Sequence, residues 1–88
     1  MSEKVEFEND RVRVLRVRHA EREKHPNASR LDRVIIYLGE GHVKRTESGK
    51  PEEVRHKAGE VMWRNRSQHQ IENLNDARHE VIIVELKK

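Results

Sequence analysis

The stretch Gly59–Asn73, which reads GEVMWRNRSQHQIEN, decides the fold. A turn at Ala58–Glu60 leads into the short apolar run Val61–Trp63, and Gln68–Asn73 follows after a second group of turn residues. Glycine, asparagine and serine favour turns, because glycine tolerates positive φ and the polar side chains hydrogen-bond the local backbone. Two short extended segments separated by such residues predict β-strands joined by tight connections.

The same organisation continues along the rest of the chain. Apolar and basic residues alternate over Val12–Arg18, which is the period of two expected of a strand with one solvated face. Further strands are predicted at Asp32–Leu38, His42–Glu47, Glu52–Lys57 and His79–Glu85. The strands His42–Glu47 and Glu52–Lys57 are predicted to form a hairpin about the turn Ser48–Pro51. No segment of helix length carries an apolar stripe at helical spacing, so an all-β fold is predicted.

Length and composition limit the classes of protein. Residues 1–88 make one domain, in which residues 1–8 are expected to form an edge strand or a loosely ordered N-terminus. The net charge of +3 is spread over a surface where acidic and basic residues alternate, so a nucleic-acid partner is not expected. The absence of cysteine excludes disulfides and thiolate metal sites. No apolar stretch approaches the roughly 20 residues of a membrane span, and we expect a cytoplasmic protein without a membrane partner.

Two segments are apolar at consecutive positions instead of alternate ones. Val34–Leu38 and Val81–Val84 each present apolar side chains to both faces of the predicted sheet. In a barrel of this size the inner face fills the core, and the outer face needs cover from a second layer. Too little chain remains to build that layer, so we predict a homodimer with side-by-side sheets at its contact.

With these motifs the chain resembles a minimal single-domain cupin of the RmlC-like superfamily, over roughly residues 9–88. The second motif of that family runs from a glycine through a strand and a turn to a histidine and then, four residues on, an asparagine. His69 and Asn73 keep that spacing, although the interval from Gly59 to His69 is one residue shorter than usual. The resemblance implies a small cupin-type β-barrel, also called a double-stranded β-helix or jelly roll.

The first cupin motif departs from the family pattern, which places two histidines and a glutamate between two glycines. Counting back from Gly41 puts Val34 at the glutamate. The same count puts Arg30 and Ala28 at the two histidines and Arg22 at the first glycine. A divalent ion held by imidazole and carboxylate needs three or four converging ligands, and a guanidinium cannot be deprotonated to serve as one. We therefore expect no cofactor at this motif.

Other histidines could still supply a metal site. If zinc, nickel, manganese or iron binds, the candidate ligands are His69, His56, His19 and His25. Period two directs His19 and His56 inward, while His25 lies on the predicted loop that leads into the first motif. An inward histidine in a small barrel can equally be a packed core residue, because a metal site also needs matched distances and a second shell. Both interpretations stay open.

A further group of residues predicts a binding pocket. Four arginines fall in or near segments that bound a cupin cavity, namely Arg30, Arg33, Arg45 and Arg64. With His69 they would form a basic mouth, and guanidinium groups suit carboxylate or phosphate. The predicted ligand-binding residues are His69, Arg30, Arg45, Tyr37 and Trp63. In the alternative interpretation, Arg45 and Arg64 lie on the outer face, Arg33 pairs with a nearby acid, and the aromatic residues only fill the core.

Three functions are compatible with these residues. The favoured one is a metal-free cupin that binds a small, anionic molecule or acts as a structural dimer. The second is a metal-dependent cupin enzyme of oxygenase or isomerase type that uses His69 with other histidines, and bound metal would distinguish it. The third is a nucleic-acid-associated accessory protein, indicated only by the positive charge and tested by salt-dependent retention on DNA.

Overall fold

The computed structural model describes residues 2–87, with the side chain of Pro26 excepted. Within this range the chain is all β, which confirms the predicted fold class. The strands are β1 (Ser2–Glu8), β2 (Val12–His19), β3 (Lys24–Arg30), β4 (Arg33–Tyr37), β5 (Gly41–Glu47), β6 (Lys50–His56), β7 (Val61–Arg64), β8 (Ser67–Asn73) and β9 (His79–Leu86). No helix that could cross a membrane occurs among these residues.

The strands form two antiparallel sheets. A five-stranded sheet has the order β1-β2-β9-β4-β7, and a four-stranded sheet has the order β3-β8-β5-β6. The chain crosses repeatedly between the two sheets. Along the sequence, β2, β4 and β7 of the first sheet alternate with β3, β5 and β8 of the second. The interior of the barrel lies between them.

The core follows from alternation along the central strands. Leu15 and Val17 of β2 are fully or almost fully buried, and they pair in register with Ile83 and Val81 of β9. Tyr37, at the end of β4, pairs with Val81 and completes the buried cluster. Because side chains on a strand alternate between faces, the residues between these positions point away from the interior.

The β5–β6 hairpin is tighter than predicted. Ser48 and Gly49 both have positive φ, 53° and 76°, which is the combination that a two-residue turn of type I′ requires. The strand β6 therefore begins at Lys50, and Pro51 lies within it, paired with Thr46. Proline is tolerated there because β6 is an edge strand and one side of it needs no backbone donor.

Two strands lack the alternating pattern that identified the others. β1 is an edge strand in which every residue is exposed, and it pairs only with β2. β3 contains His25, so the prediction of a loop at His25 is wrong. The register of β3 against β8 shifts between His25 and Ala28, and this irregularity, together with the polar composition, hides the strand from an analysis of periodicity.

Candidate functional site

A cavity of about 70 Å³ lies between the two sheets. Its apolar wall includes Val17, Ile35 and Ile83 from the five-stranded sheet, with Val43 and Ile71 from the other. An engineered apolar cavity of about 150 Å³ holds benzene, so a ligand here has only a few non-hydrogen atoms. The polar part of the lining divides into a cluster of arginines with His69 and a separate cluster of histidines.

Arg33 is the most deeply buried of the arginines, with 1% of its surface exposed. Its Nη1 donates to the backbone oxygens of Leu31 (3.1 Å) and Asn65 (3.0 Å), and its Nη2 donates to Ser67 Oγ (3.3 Å). The Nε–H has no partner. A guanidinium offers five N–H donors, so three are used and two are left. Every hydrogen-bond acceptor of this cation among the described residues is an uncharged group.

Ser67 joins the arginines to His69. Its hydroxyl lies 3.0 Å from Arg45 Nη2 and 3.0 Å from His69 Nδ1, in addition to its contact with Arg33. Both guanidinium groups can only donate, so the serine oxygen accepts from them and its own O–H donates to His69 Nδ1. The ring proton of neutral His69 is then on Nε2. The network therefore fixes the tautomer of His69 and leaves Nε2 as a hydrogen-bond donor.

The other arginines of the cavity each have a carboxylate partner. Arg45 Nη1 bonds Glu47 at 2.8 Å, Arg30 bonds Glu3 at 2.9 Å, and Arg64 lies 3.6 Å from Glu52. The alternative interpretation that Arg45 and Arg64 lie on the outer face is wrong, because both line the cavity. Period two explains the outcome, since Arg45 follows Gly41 and Val43 on the inward face of β5. Of these four cavity arginines, Arg33 differs in that its hydrogen-bond acceptors among the described residues are all uncharged.

Burial and neighbouring charge shift the pKa values in this cluster. Desolvation lowers the pKa of His69 to about 4, with further lowering from Arg45, Arg33 and Arg30. Burial likewise lowers the pKa of Arg33 to about 10, and the positive charges of Arg45, Arg30 and Arg64 act in the same direction. His69 is therefore neutral at pH 7 and Arg33 remains charged. The buried carboxylate of Glu85, which pairs with Arg33 in register, acts on the pKa of Arg33 in the opposite direction.

Three further histidines cluster near Gly41. His56 Nε2 and His79 Nε2 lie 2.6 Å apart, and the ring of His19 stacks on that of His79 at 6.1 Å between centroids. Each ring is less than 7% exposed, and Nδ1 of each has no hydrogen-bond partner. His56 also stacks on Tyr37, with ring centroids 3.7 Å apart. These three histidines are packed core residues, and for His19 and His56 this is one of the two interpretations that the sequence left open.

The side chains around His69 do not fit a divalent metal ion. Its polar neighbours are Arg33, Arg45 and Ser67, and guanidinium groups cannot act as ligands. Imidazole nitrogens bound to one tetrahedral zinc would be roughly 3.3 Å apart, so the 2.6 Å hydrogen bond between His56 and His79 is too close. Among residues 2–87 no group of three histidine or carboxylate side chains is arranged to hold an ion.

Two predicted positions lie outside the cavity. Trp63 points away from it and is 49% exposed, because Met62 and Arg64 are the inward residues of β7. The prediction that Trp63 forms a wall of the pocket is therefore wrong. Val34, which the count through the first motif put at the glutamate, lies on the outer face of β4, while Arg33 and Ile35 line the cavity. Tyr37, Arg30, Arg45, His69, His19 and His25 all line it.

Three polar residues that face the interior were not predicted there. Ser67 was taken only as a turn residue, yet it holds the hydrogen-bond network together. His79 and Glu85 occupy the inward positions of β9, and Glu85 bonds Arg13 at 2.8 Å. Period two from Val81 and Ile83 identifies both of the β9 residues. No comparable signal identifies Ser67.

No protein-family model matches this sequence, and no curated protein matches it. Several solved structures do. A cupin domain from Bordetella pertussis superposes with a TM-score of 0.92 at 18% identity, covering 99% of this chain and 93% of that one. A cupin superfamily protein from Desulfitobacterium hafniense gives 0.72 at 14% identity, covering 99% and 77%. A double-stranded β-helix protein from Klebsiella pneumoniae gives 0.78 at 11% identity, covering 98% and 76%. The chain therefore has the cupin fold, a double-stranded β-helix.

Proposed function

We propose that this cupin-type protein binds a small anion with planar oxygens, such as a monocarboxylate, at the arginine end of its cavity. Arg33 carries the proposal. It is a buried cation whose hydrogen bonds all go to neutral groups, and its Nε–H has no partner. A bound anion would supply the missing acceptor and add negative charge beside four arginines, where the buried carboxylate of Glu85 is already bonded to Arg13 and to the backbone N–H of Leu31.

The arrangement of donors supports a planar anion. Charge-assisted hydrogen bonds from guanidinium to carboxylate are among the strongest in proteins, and the fork geometry suits two oxygens in one plane. Arg45 is held by Glu47 and Ser67, while Ser67 sets the tautomer that gives His69 a free donor. The remaining lining is largely apolar, and it favours a small organic anion over a highly hydrated one.

Thermal unfolding in acetate, formate and nitrate, each against chloride at equal ionic strength, tests the proposal. We expect these anions to raise the melting temperature of the wild type by several degrees in a saturable way, because a ligand that binds only the folded state stabilises it. Arg45→Gln should lose the response, and so should His69→Gln, which remains neutral but lacks the imidazole. Arg11→Gln is the matched control, since it removes the same charge from an exposed position.

The Nε–H resonance of Arg33 gives a direct second readout. Titration with acetate should shift that ¹⁵N–¹H signal in the wild type and in Arg11→Gln, with the same midpoint as the thermal response. Chloride should not move it. The proposal fails if no anion stabilises the wild type more than chloride does, or if Arg45→Gln and Arg11→Gln respond alike.

A further inference from the structure

We propose that Glu47 restricts the anion site to small monocarboxylates that carry a neutral hydrogen-bond donor next to the carboxylate, such as 2-hydroxy acids, and excludes dicarboxylates. The selectivity rests on the anion binding proposed above, because Glu47 acts on the arginines that would hold the anion. Its own carboxylate already occupies one donor of that cluster.

Glu47 lies between the cavity and the surface. It is the last residue of β5, and period two places it on the same face of the strand as Arg45. The turn at Ser48 and Gly49 follows immediately and fixes the end of the strand. Glu47 lines an open cleft of about 490 Å³. His69 lines both this cleft and the cavity, so the two spaces meet beside the Glu47 side chain.

Arg45 connects Glu47 to the rest of the anion site. Its Nη1 bonds Glu47 Oε1 at 2.8 Å, and its Nη2 donates to Ser67 Oγ at 3.0 Å. Arg33 Nη2 donates to the same serine oxygen at 3.3 Å, so the two guanidinium groups lie side by side. An anion bonded to Arg33 is therefore close to Arg45 and to the carboxylate that Arg45 holds.

The charge of Glu47 disfavours a second carboxylate at this position. The hydrogen bond from Arg45 lowers the pKa of Glu47 below its usual 4.5, so the side chain is ionised at neutral pH. A dicarboxylate that bonds Arg33 would bring its second charge toward Glu47 and would compete with it for Arg45. Like charges placed side by side in a partly buried site oppose binding. A monocarboxylate brings no second charge and avoids this repulsion.

A neutral donor on the ligand has the opposite effect. Glu47 Oε2 bonds no other residue in the part of the chain that the structure describes, and a carboxylate oxygen accepts well from O–H or N–H. Ser67 fixes the tautomer in which His69 Nε2 carries the proton, and this N–H can donate to the oxygen of the same ligand group. A hydroxyl group or a primary amide next to the carboxylate suits both partners.

Isothermal titration calorimetry with oxamate and oxalate at pH 7.5 tests the selectivity, because these two anions have nearly the same shape and differ by one negative charge. The wild type should bind oxamate more tightly than oxalate by about tenfold or more. Glu47→Gln should lose or reverse that preference, since glutamine carries no charge. Glu53→Gln is the matched control, because it removes the same charge from an exposed side chain that bonds His42. It should keep the wild-type preference.

Acetate and glycolate distinguish failure of the selectivity from failure of anion binding itself. The wild type should bind glycolate more tightly than acetate, and Glu47→Gln should lose most of this gain. Circular dichroism shows whether the variants are folded, and the comparison of the four anions in the wild type needs no variant. A wild type that binds acetate but does not prefer oxamate to oxalate overturns the selectivity alone. An oxamate preference that is equal in Glu47→Gln and Glu53→Gln does the same, whereas a wild type that binds none of the four anions overturns both proposals.

Discussion

At the scale of single residues, Gly41 shows how closely the histidine cluster is packed. It begins β5, pairs with His56, and is itself buried. A Cβ added there would lie 2.6 Å from Cδ2 of His79 and closer still to His56 Nε2. Real Cβ atoms do not approach other atoms this closely, so one of the two rings would have to move.

We expect Gly41→Ala to destabilise the protein by about 1–3 kcal/mol, the usual cost of overpacking a well-filled interior. Urea denaturation at pH 7.5 measures the change. Gly39→Ala is the control, since a Cβ at Gly39 meets no atom within 4 Å, and that variant should be within about 0.5 kcal/mol of the wild type. Equal stability of the two variants would show that the histidine rings have room to shift.

His69 illustrates how neighbouring residues determine the chemistry of a side chain. The spacing to Asn73 identified it as the remaining member of a metal-binding motif. In the structure its Nδ1 accepts from Ser67, and two guanidinium groups bond the same serine. An imidazole surrounded by fixed positive charge is a poor site for a cation and a good donor to an anion. His69 lines the cavity, and its neighbours support the proposed anion-binding role over that of a metal ligand.

At the scale of elements, Asn73 fastens the end of β8 to two connecting segments. It is fully buried, and its Nδ2 donates to the backbone oxygens of Ala20 (3.0 Å) and Ala77 (2.9 Å). Its Oδ1 accepts from the backbone of Asn75 at 3.1 Å. One side chain thus provides partners for three backbone groups that belong to no sheet ladder.

Asn73→Ala should cost about 2–4 kcal/mol, because it removes three hydrogen bonds that each contribute roughly 0.5–1.5 kcal/mol. Thermal and urea unfolding both measure the loss. Asn27→Ala serves for comparison, since Asn27 is exposed and its one side-chain bond is to Gln68 near the surface. A small effect at Asn73 would mean that water replaces the amide, and the two connections would then be held by other contacts.

The strands that the sequence predicts correctly are those with one buried face. Apolar and basic residues alternate along β2, and β9 contains a continuous apolar run. Each strand covers the core with its inward side chains. β1 buries none of its side chains, and β3 has an irregular register against β8, so neither has a periodic signal. Their stability comes from backbone pairing with a neighbouring strand, and backbone pairing leaves no pattern in the side chains.

The residues of the candidate site were likewise predictable only where a local pattern placed them. Period two placed His19 and His56 in the interior, and the motif spacing placed His69 there. Trp63 was assigned to the wrong face because β7 has only four residues, and three of them are apolar. In such a short run the side chains of either face could fill the core. The hydrogen bonds of Ser67 depend on how β4, β5 and β8 meet in space, and no local pattern contains that information.

At the scale of the whole molecule, the interior holds an unusual number of buried imidazoles. Desolvation lowers the pKa values of His19, His69 and His79 to about 4, and it also lowers the pKa of His56. In the unfolded chain these groups titrate near 6.5. Between pH 6.5 and 4 the histidines of the unfolded state bind protons, while the buried histidines of the folded state stay neutral. The free energy of unfolding therefore rises with pH across this interval.

We therefore expect full stability above about pH 6.5 and a progressive loss as the pH falls from 6.5 toward 4. At pH 5.5, a histidine with these two pKa values contributes about 1.4 kcal/mol less than at neutral pH, and three give about 4 kcal/mol. That is a large part of the 5–15 kcal/mol typical of folded proteins. Urea denaturation at pH 7.5, 6.5 and 5.5, with protein concentration held constant, measures it.

The carboxylates do not account for such a loss. Ion pairs lower the pKa values of Glu6, Glu8, Glu47 and Glu80 below 4.5, so most of their contribution is lost below about pH 4.5, outside the range of pH 7.5–5.5 that is measured. His19→Gln should flatten the pH dependence because it removes one of the buried imidazoles. A free energy of unfolding that is constant between pH 7.5 and 5.5 would mean that water enters the histidine cluster and that its rings accept protons without unfolding.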